Sequence, residues 1–283
     1  MSQTRRSFTG QAVIAAASLA LAASTRVGAQ TPETSPVASP SGEALSITVG
    51  ATPVPHAEIL GFVKDSLANK ASLAIEIVEF TDYVLPNTAL DEGELDANYF
   101  QHLPYLEDFN AEHGTDLVPV VAVHIEPLGI YSSSITSLED LEDGAIVGIP
   151  NDVTNGGRAL KLLAANDLIA LDEAVDNPTV ADVTENPLNL EFAELEAAQL
   201  PRSLEDTAIS VINGNYALEA GLTPSDDALA LESGEDNPYA NYLVVAAGHE
   251  EDANVLALAT LLTSDAVRAF IEETYQGSVI PAF

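Results

Sequence analysis

The stretch Ile149 to Leu163, IPNDVTNGGRALKLL, places an arginine directly behind Thr-Asn-Gly-Gly, where an apolar strand gives way to a helix. Arginine is scarce in this chain. It carries 44 acidic residues against 9 lysines and arginines, and only Lys64, Lys70, Arg158, Lys161, Arg202 and Arg268 lie beyond the first 29 positions. A strand, a polar turn and a helix start present backbone N–H groups and the positive end of the helix dipole to an anion. Arg158 reads as part of the first helical turn, where that dipole disfavours a cation unless an anion compensates. No Gly-Lys-Ser/Thr follows, and NGG is not a dinucleotide fingerprint. A planar guanidinium suits a carboxylate, which it can hold through two parallel hydrogen bonds. A surface arginine paired with one of the many nearby acids accounts for Arg158 equally well at this point.

Other residues with chemical potential cluster in FTDYVLPNTALDEGELDANYFQHLPYL, which gathers Phe80, Tyr83, Tyr99, Phe100, His102 and Tyr105 in a chain only 6% aromatic. Such a group can line an apolar pocket with a few polar handles. Phe80 and Tyr99 fit a core role better, whereas Tyr83, His102 and Tyr105 carry polar tips. Asn213 and Asn215 follow one apolar strand and Asn241 precedes another, and strand ends of an α/β sheet are where ligands bind. Asparagine amides serve both a carboxylate and an ammonium group. For Asn215 and Asn237 an ordinary turn role competes with this. His102, His113 and His124 are evenly spaced, but Gly114 and Pro119 break any common helix and no His-x-x-x-His pair occurs, so no metal site is expected. No Gly-x-Ser-x-Gly elbow is present, and no pair of carboxylates stands out from a solvated surface, so no catalytic residues are expected.

The elements that must position these residues alternate. LSITVG and LAIEIVEF read as strands, and ATPVPHAEILGFVKDSL and HLPYLEDFNAEHG as helices. DLVPVVAVHIEPLGIYS is a long β-branched run broken at Pro127. AIVGIP, LEFAEL, TAISVIN and YANYLVVAA read as further strands between helices, and two helices close the chain. This alternation predicts an α/β architecture with mostly parallel sheets.

The first 29 residues carry paired arginines in TRRSF, an Ala-rich apolar run and a small-residue site ending at Ala29, the pattern of a twin-arginine-like export signal. Residues 30–43 are Pro/Ser/Thr-rich and read as a tether. After position 29 the chain holds 6 basic and 44 acidic residues, a net charge of −38. Counterion physics excludes a nucleic-acid partner, and anionic lipid surfaces repel such a protein; the acidity also fits a saline habitat. Cysteine is absent, and the one methionine is Met1. Disulfides, thiolate metal sites and a lipid-bearing cysteine are therefore not expected.

VGATPVPHAEIL, EFTDYVLPNTALDEGELDANYFQHLPYL, VHIEPLGIYS, IPNDVTNGGRALKLL, ELEAAQLPRSL, VINGNYALEAG, NPYANYLVV and GSVIPAF, in this order from about residue 45 onward, closely resemble the methionine-binding lipoproteins, the solute-binding components of methionine ABC importers. The resemblance implies a two-lobed type-2 periplasmic binding protein, with lobe I at 44–124 plus 242–283 and lobe II at 125–241. It implies that Arg158 grips the ligand carboxylate, that Asn213 and Asn241 bind its carboxylate and amino groups, and that Tyr83, Phe100, His102 and Tyr105 enclose the thioether. Thioether sulfur packs well at aromatic edges, and a buried zwitterion needs paired donors and acceptors. The implied partners are methionine, as the L or D form, and the membrane permease and ATPase subunits of an importer. The protein would be a monomer, with no enzyme activity and no cofactor. Another small amino acid or a methionine-containing dipeptide is the alternative ligand, and a metal-binding protein or a secreted hydrolase the alternative of another class. The sequence departs from the family in lacking a lipobox cysteine, which leaves periplasmic, cell-surface and extracellular locations open. Freedom from sulfur suits, as a hypothesis, a scavenger of a sulfur amino acid made in sulfur shortage; equally sulfur-poor proteins throughout the same proteome would sink it. Resistance to oxidation outside the cell is the plainer reading.

Overall fold

The computed structural model describes residues 45–283. The expected leader (1–29) and tether (30–43) lie outside the described residues. From Leu45 the chain alternates as its apolar periodicity predicts: strand β1 (Leu45–Ala51), helix α1 (Glu58–Ser66), β2 (Leu73–Glu79), α2 (Leu85–Asp91), β3 (Ala97–His102), α3 (Leu103–His113) and β4 (Leu117–Ile125). The middle of the chain forms β5 (Gly129–Tyr131), β6 (Ile146–Pro150), α4 (Val153–Ala165), β7 (Ala170–Leu171), β8 (Val183–Glu185), β9 (Glu191–Leu195), α5 (Leu200–Ser203), β10 (Ile209–Ile212), α6 (Gly214–Glu219), α7 (Pro224–Asp227) and β11 (Ala230–Leu231). β12 (Ala240–Ala246), α8 (Ala253–Leu262), α9 (Asp265–Tyr275) and β13 (Ile280–Pro281) complete it.

These strands form two main sheets and a small β7–β8 pair. The first sheet runs β13-β4-β12-β3-β1-β2 and the second β11-β5-β10-β6-β9. Each contains a parallel trio, β2-β1-β3 in the first and β9-β6-β10 in the second. The helical crossovers within each trio put their apolar faces on the sheet: α1 buries Ile59, Leu60 and Val63, and α4 buries Leu160, Leu162 and Leu163. The remaining main-sheet pairings, made by β4, β5, β11, β12 and β13, are antiparallel. The sheets are therefore more mixed than strand–helix alternation alone predicts, because alternation fixes the hand of a crossover but not the direction of strands joined by long connections.

Each sheet has its own core. Ile47, Val49, Leu60, Tyr99, Val123, Leu243, Leu258 and Ile271 belong to the first, and Ile130, Val147, Ile149, Leu160, Leu163, Ile209 and Val211 to the second. The chain leaves the first sheet at the end of β4 and returns to it at β12, where Ala240 pairs with Ile125. Pro127 falls in the outward passage, between β4 and β5. A proline cannot donate to a sheet ladder, so the long apolar run divides there between the two sheets.

Candidate functional site

Arg158 belongs to α4, and the structure corrects its expected place. The helix begins at Val153, three residues before the glycine pair, because the Asp152 carboxylate accepts the N–H of Asn155 and caps it. Arg158 therefore lies in the second turn, and Thr-Asn-Gly-Gly is helical. Gly156 and Gly157 are there for close approach: an added Cβ on Gly156 would lie 2.8 Å from the Pro150 carbonyl oxygen, and one on Gly157 3.2 Å from that of Pro178. The glycines let the helix start pack against neighbouring backbone, and the arginine projects inward, 4% exposed.

Its guanidinium is fixed from several sides. Nε donates to Glu232 Oε1 at 3.0 Å, and Nη2 donates to Glu232 Oε2 at 2.5 Å and to the backbone carbonyl of Glu126 at 2.8 Å. The Tyr239 ring covers one face with its centroid 4.1 Å from Cζ. Glu232 is itself held by the Asn237 side chain and the N–H of Leu128. Nη1 takes no part in these bonds and remains to meet a further acceptor.

Tyr83, Phe100, His102, Tyr105, Arg158, Asn213 and Asn241 all line one cavity, together with Gln101, Glu126, Asn155, Gly214 and Asn215. The turn from β3 into α3 supplies Phe100, His102 and Tyr105, with His102 as N-cap accepting the Tyr105 N–H on Nδ1. That bond leaves the proton on Nε2, which donates to Asn155 Oδ1 at 3.2 Å. Tyr83 packs against Phe100 and Tyr105, and its hydroxyl donates to Asn215 Oδ1 at 2.5 Å. The wall is aromatic with polar tips turned to asparagines. Tyr99 instead lies wholly in the core, bonded to His124, and Phe80 is half-buried against Leu90 and Leu95.

Two amide atoms beside this cavity are buried and unpartnered. Asn213 donates Nδ2 to Asn155 at 2.8 Å but leaves Oδ1 without a donor, and Asn215 leaves Nδ2 without an acceptor. Buried polar groups left in this way are costly, and their partners are normally present in the working state. One lacks a donor and the other an acceptor, which is the requirement a zwitterion meets.

His102, His113 and His124 do not converge: His102 faces the cavity, His113 is exposed and His124 is buried elsewhere. The structure instead gathers His56, His124 and Glu126. Glu126 Oε1 lies 2.7 Å from His124 Nε2 and 3.3 Å from His56 Nε2. Burial lowers the pKa of His56 to about 4 and of His102 and His124 to about 3, so all three are neutral near pH 7. Burial raises that of Glu126, opposed by His56, the Asn215 N–H and Arg158. Burial likewise raises that of Asp152.

The sequence reading missed Gln101, Glu126, Asn155, Gly214 and Glu232, and gave Asn215 a turn role as readily as a site role. Glu126 had a signal, being the single acidic residue in the run from Leu117 to Tyr131. Glu232 had none, because one acid among 44 is invisible until the fold sets it beside Arg158.

Residues 47–283 match the NlpA lipoprotein family model. The methionine-binding lipoprotein MetQ of Bacillus subtilis is 42% identical over 241 residues, 83% of this chain and 87% of that protein. The D-methionine-binding lipoprotein MetQ of Escherichia coli K12 is 44% identical over 215 residues, 75% of this chain and 79% of that one. Among solved structures, a nutrient binding protein from Burkholderia cenocepacia bound to methionine superposes with a TM-score of 0.81 at 42% identity, covering 84% of this chain and all of that one.

Proposed function

The chain belongs to the NlpA lipoprotein family, and from that premise we propose that it is an exported solute-binding protein that captures methionine and delivers it to an ABC importer. The observation that carries the reading is the pair of unpartnered amide atoms, Asn213 Oδ1 and Asn215 Nδ2, buried beside an arginine and an aromatic wall. An α-amino acid satisfies both at once. In this reading the ligand carboxylate meets Arg158 Nη1, with Asn215 Nδ2 and Asn241 near it. The ammonium meets Asn213 Oδ1 on the Glu126 side of the cavity. The side chain lies among Tyr83, Phe100, His102 and Tyr105, where aromatic edges favour a thioether by about 0.3–1.5 kcal/mol per contact. The role is binding, without chemistry on the ligand.

The two sheets with their separate cores are taken as lobes, residues 44–124 plus 242–283 and residues 125–241, joined by the crossings near Glu126 and Tyr239. Bonds that reach from one to the other, Tyr83 to Asn215 and His102 to Asn155, hold the cavity shut. A ligand that completes the polar set in this form shifts the open–closed equilibrium toward it. The closed monomer then docks on the permease of the importer, whose ATPase drives uptake. No cysteine occurs in the sequence, so we take the protein to be held by an uncleaved leader or released outside the cell.

Native mass spectrometry of the purified protein tests the ligand, followed by calorimetry with L- and D-methionine. A mass increment of methionine that exchanges with added methionine is expected. Another amino acid in that place, or no heat with either enantiomer, overturns the assignment.

A further inference from the structure

Asn241 lines the cavity, and the atoms behind it decide which end of its amide the ligand meets. Its Oδ1 lies 3.1 Å from His56 Nε2, and its Nδ2 makes no side-chain hydrogen bond among the described residues. His56 is 1% exposed, and its Nδ1 lies 2.7 Å from Thr52 Oγ1. A hydroxyl both donates and accepts, so Thr52 leaves the imidazole tautomer open. The Glu126 carboxylate closes it. Glu126 Oε1 stands 3.3 Å from His56 Nε2 and 2.7 Å from His124 Nε2. Where Glu126 is ionised it can only accept, and both Nε2 atoms that face its Oε1 then carry the protons. The one His56 Nε2 proton then lies between Glu126 Oε1 and Asn241 Oδ1, and because a protonated nitrogen has no lone pair to accept an amide N–H₂, Asn241 turns its Oδ1 to it. With Thr52 donating to Nδ1 of His56 and Tyr99 donating to Nδ1 of His124, every proton in the group has a partner.

We propose that His56, set by Glu126 and Thr52, is a positioning residue that locks the Asn241 amide with its Nδ2 toward the ligand, so that this edge of the site selects a carboxylate over a carboxamide. Asn241 is then a donor, whereas Asn213, whose Nδ2 is taken by Asn155, is the acceptor. The two asparagines are not interchangeable. The lock also acts on specificity: a carboxamide turned toward Asn241 brings its own N–H₂ against the amide N–H₂, and a site built around a fixed donor disfavours that pairing. A freely rotating asparagine would tolerate either group.

The inference rests on the methionine reading for its ligand but not for its tautomer, and the experiment separates the two. Long-range proton–nitrogen NMR of ring-labelled protein at pH 7, with the His56 signals assigned by their loss in His56→Gln, is expected to show a protonated Nε2 and a bare Nδ1. Calorimetry with methionine and methionine amide follows on wild type, His56→Leu and His56→Gln, each checked for folding by its melting curve. The wild-type preference for methionine is expected to fall about tenfold in His56→Leu, the worth of one hydrogen bond to a charged group. It is expected to stay within about twofold in His56→Gln, whose Nε2 still donates to Oδ1. A proton on His56 Nδ1, or a folded His56→Leu with the wild-type ratio, overturns the inference. If wild type binds no methionine, the ligand assignment falls, and the nitrogen signals still decide the tautomer.

Discussion

Arg158 meets a bidentate carboxylate, a backbone carbonyl and an aromatic face before any ligand arrives. The pairing with Glu232 makes burial of the cation tolerable and holds the fork still, so in the binding mode proposed above little entropy is lost when Nη1 takes a ligand oxygen. Arg158→Ala is expected to weaken methionine binding by roughly 3–5 kcal/mol, because it strands both the ligand carboxylate and Glu232. Near-unchanged affinity in calorimetry would remove Arg158 from the site. His102 gives a second residue-scale prediction. Burial first, and the Arg158 charge second, hold its pKa at about 3, below the 6.5 of an exposed imidazole. Between these values the unfolded chain binds a proton that the folded chain refuses, so stability present above pH 6.5 is lost as pH falls. From pH 7 to pH 5 wild type should lose about 2 kcal/mol more than His102→Gln, which keeps a donor for Asn155. Urea unfolding at fixed ionic strength checks this, and equal losses in the two proteins would refute it. Glu126 and Asp152 titrate with the opposite sign, and comparison with the variant cancels their contribution.

At the scale of elements, the start of α4 decides where the arginine points. Asp152 caps the helix, its carboxylate also takes the Asn155 amide, and Asn155 Oδ1 then accepts from His102 and Asn213. One cap thereby aligns polar groups from both sheets. The glycines behind it are packing residues. Gly156→Ala would drive a methyl against the Pro150 carbonyl at 2.8 Å, an overlap with backbone that no rotamer relieves. The intrinsic gain from alanine in a helix, about 1 kcal/mol, should be outweighed by a strain cost of about 1–3 kcal/mol. A lowered melting temperature with weaker ligand binding is the expected result. A stabilised variant would show that the helix start has room to shift.

For the whole molecule, charge dominates. With −38 on the chain after residue 29, self-repulsion opposes the folded state and is relieved by screening, whose range shrinks from about 30 Å at 0.01 M salt to about 8 Å at 0.15 M. The melting temperature should therefore rise with sodium chloride over that interval, read by scanning calorimetry at pH 7.5; a flat response would mean that the acids are spaced widely enough not to interact. Against this acidic background the ligand carboxylate needs a local donor set, and the contacts between the two sheets assemble it.

Sequence and tertiary structure divided the determination at identifiable residues. The alternation of β-branched strands and amphipathic helices was readable because burial imposes a period of two or of 3.6 on nearby residues. The aromatic run, the asparagines at strand ends and the arginine behind Thr-Asn-Gly-Gly were readable as candidates because such residue types are conspicuous among acids and alanines, though the burial of that arginine was not, and the ordered segments carried the family resemblance. Four determinations came only with the fold: the antiparallel outer strands, the helix start at Val153, the Glu232 partner of Arg158, and the His56–Glu126–Asn241 chain. The helix start turns on a local cap, Asp152 to Asn155, but the others depend on groups far apart in sequence, His56 and Asn241 by 185 residues and Arg158 and Glu232 by 74. Tautomer, amide orientation and charge pairing are properties of contacts, and a sequence specifies contacts only through the packing of its cores.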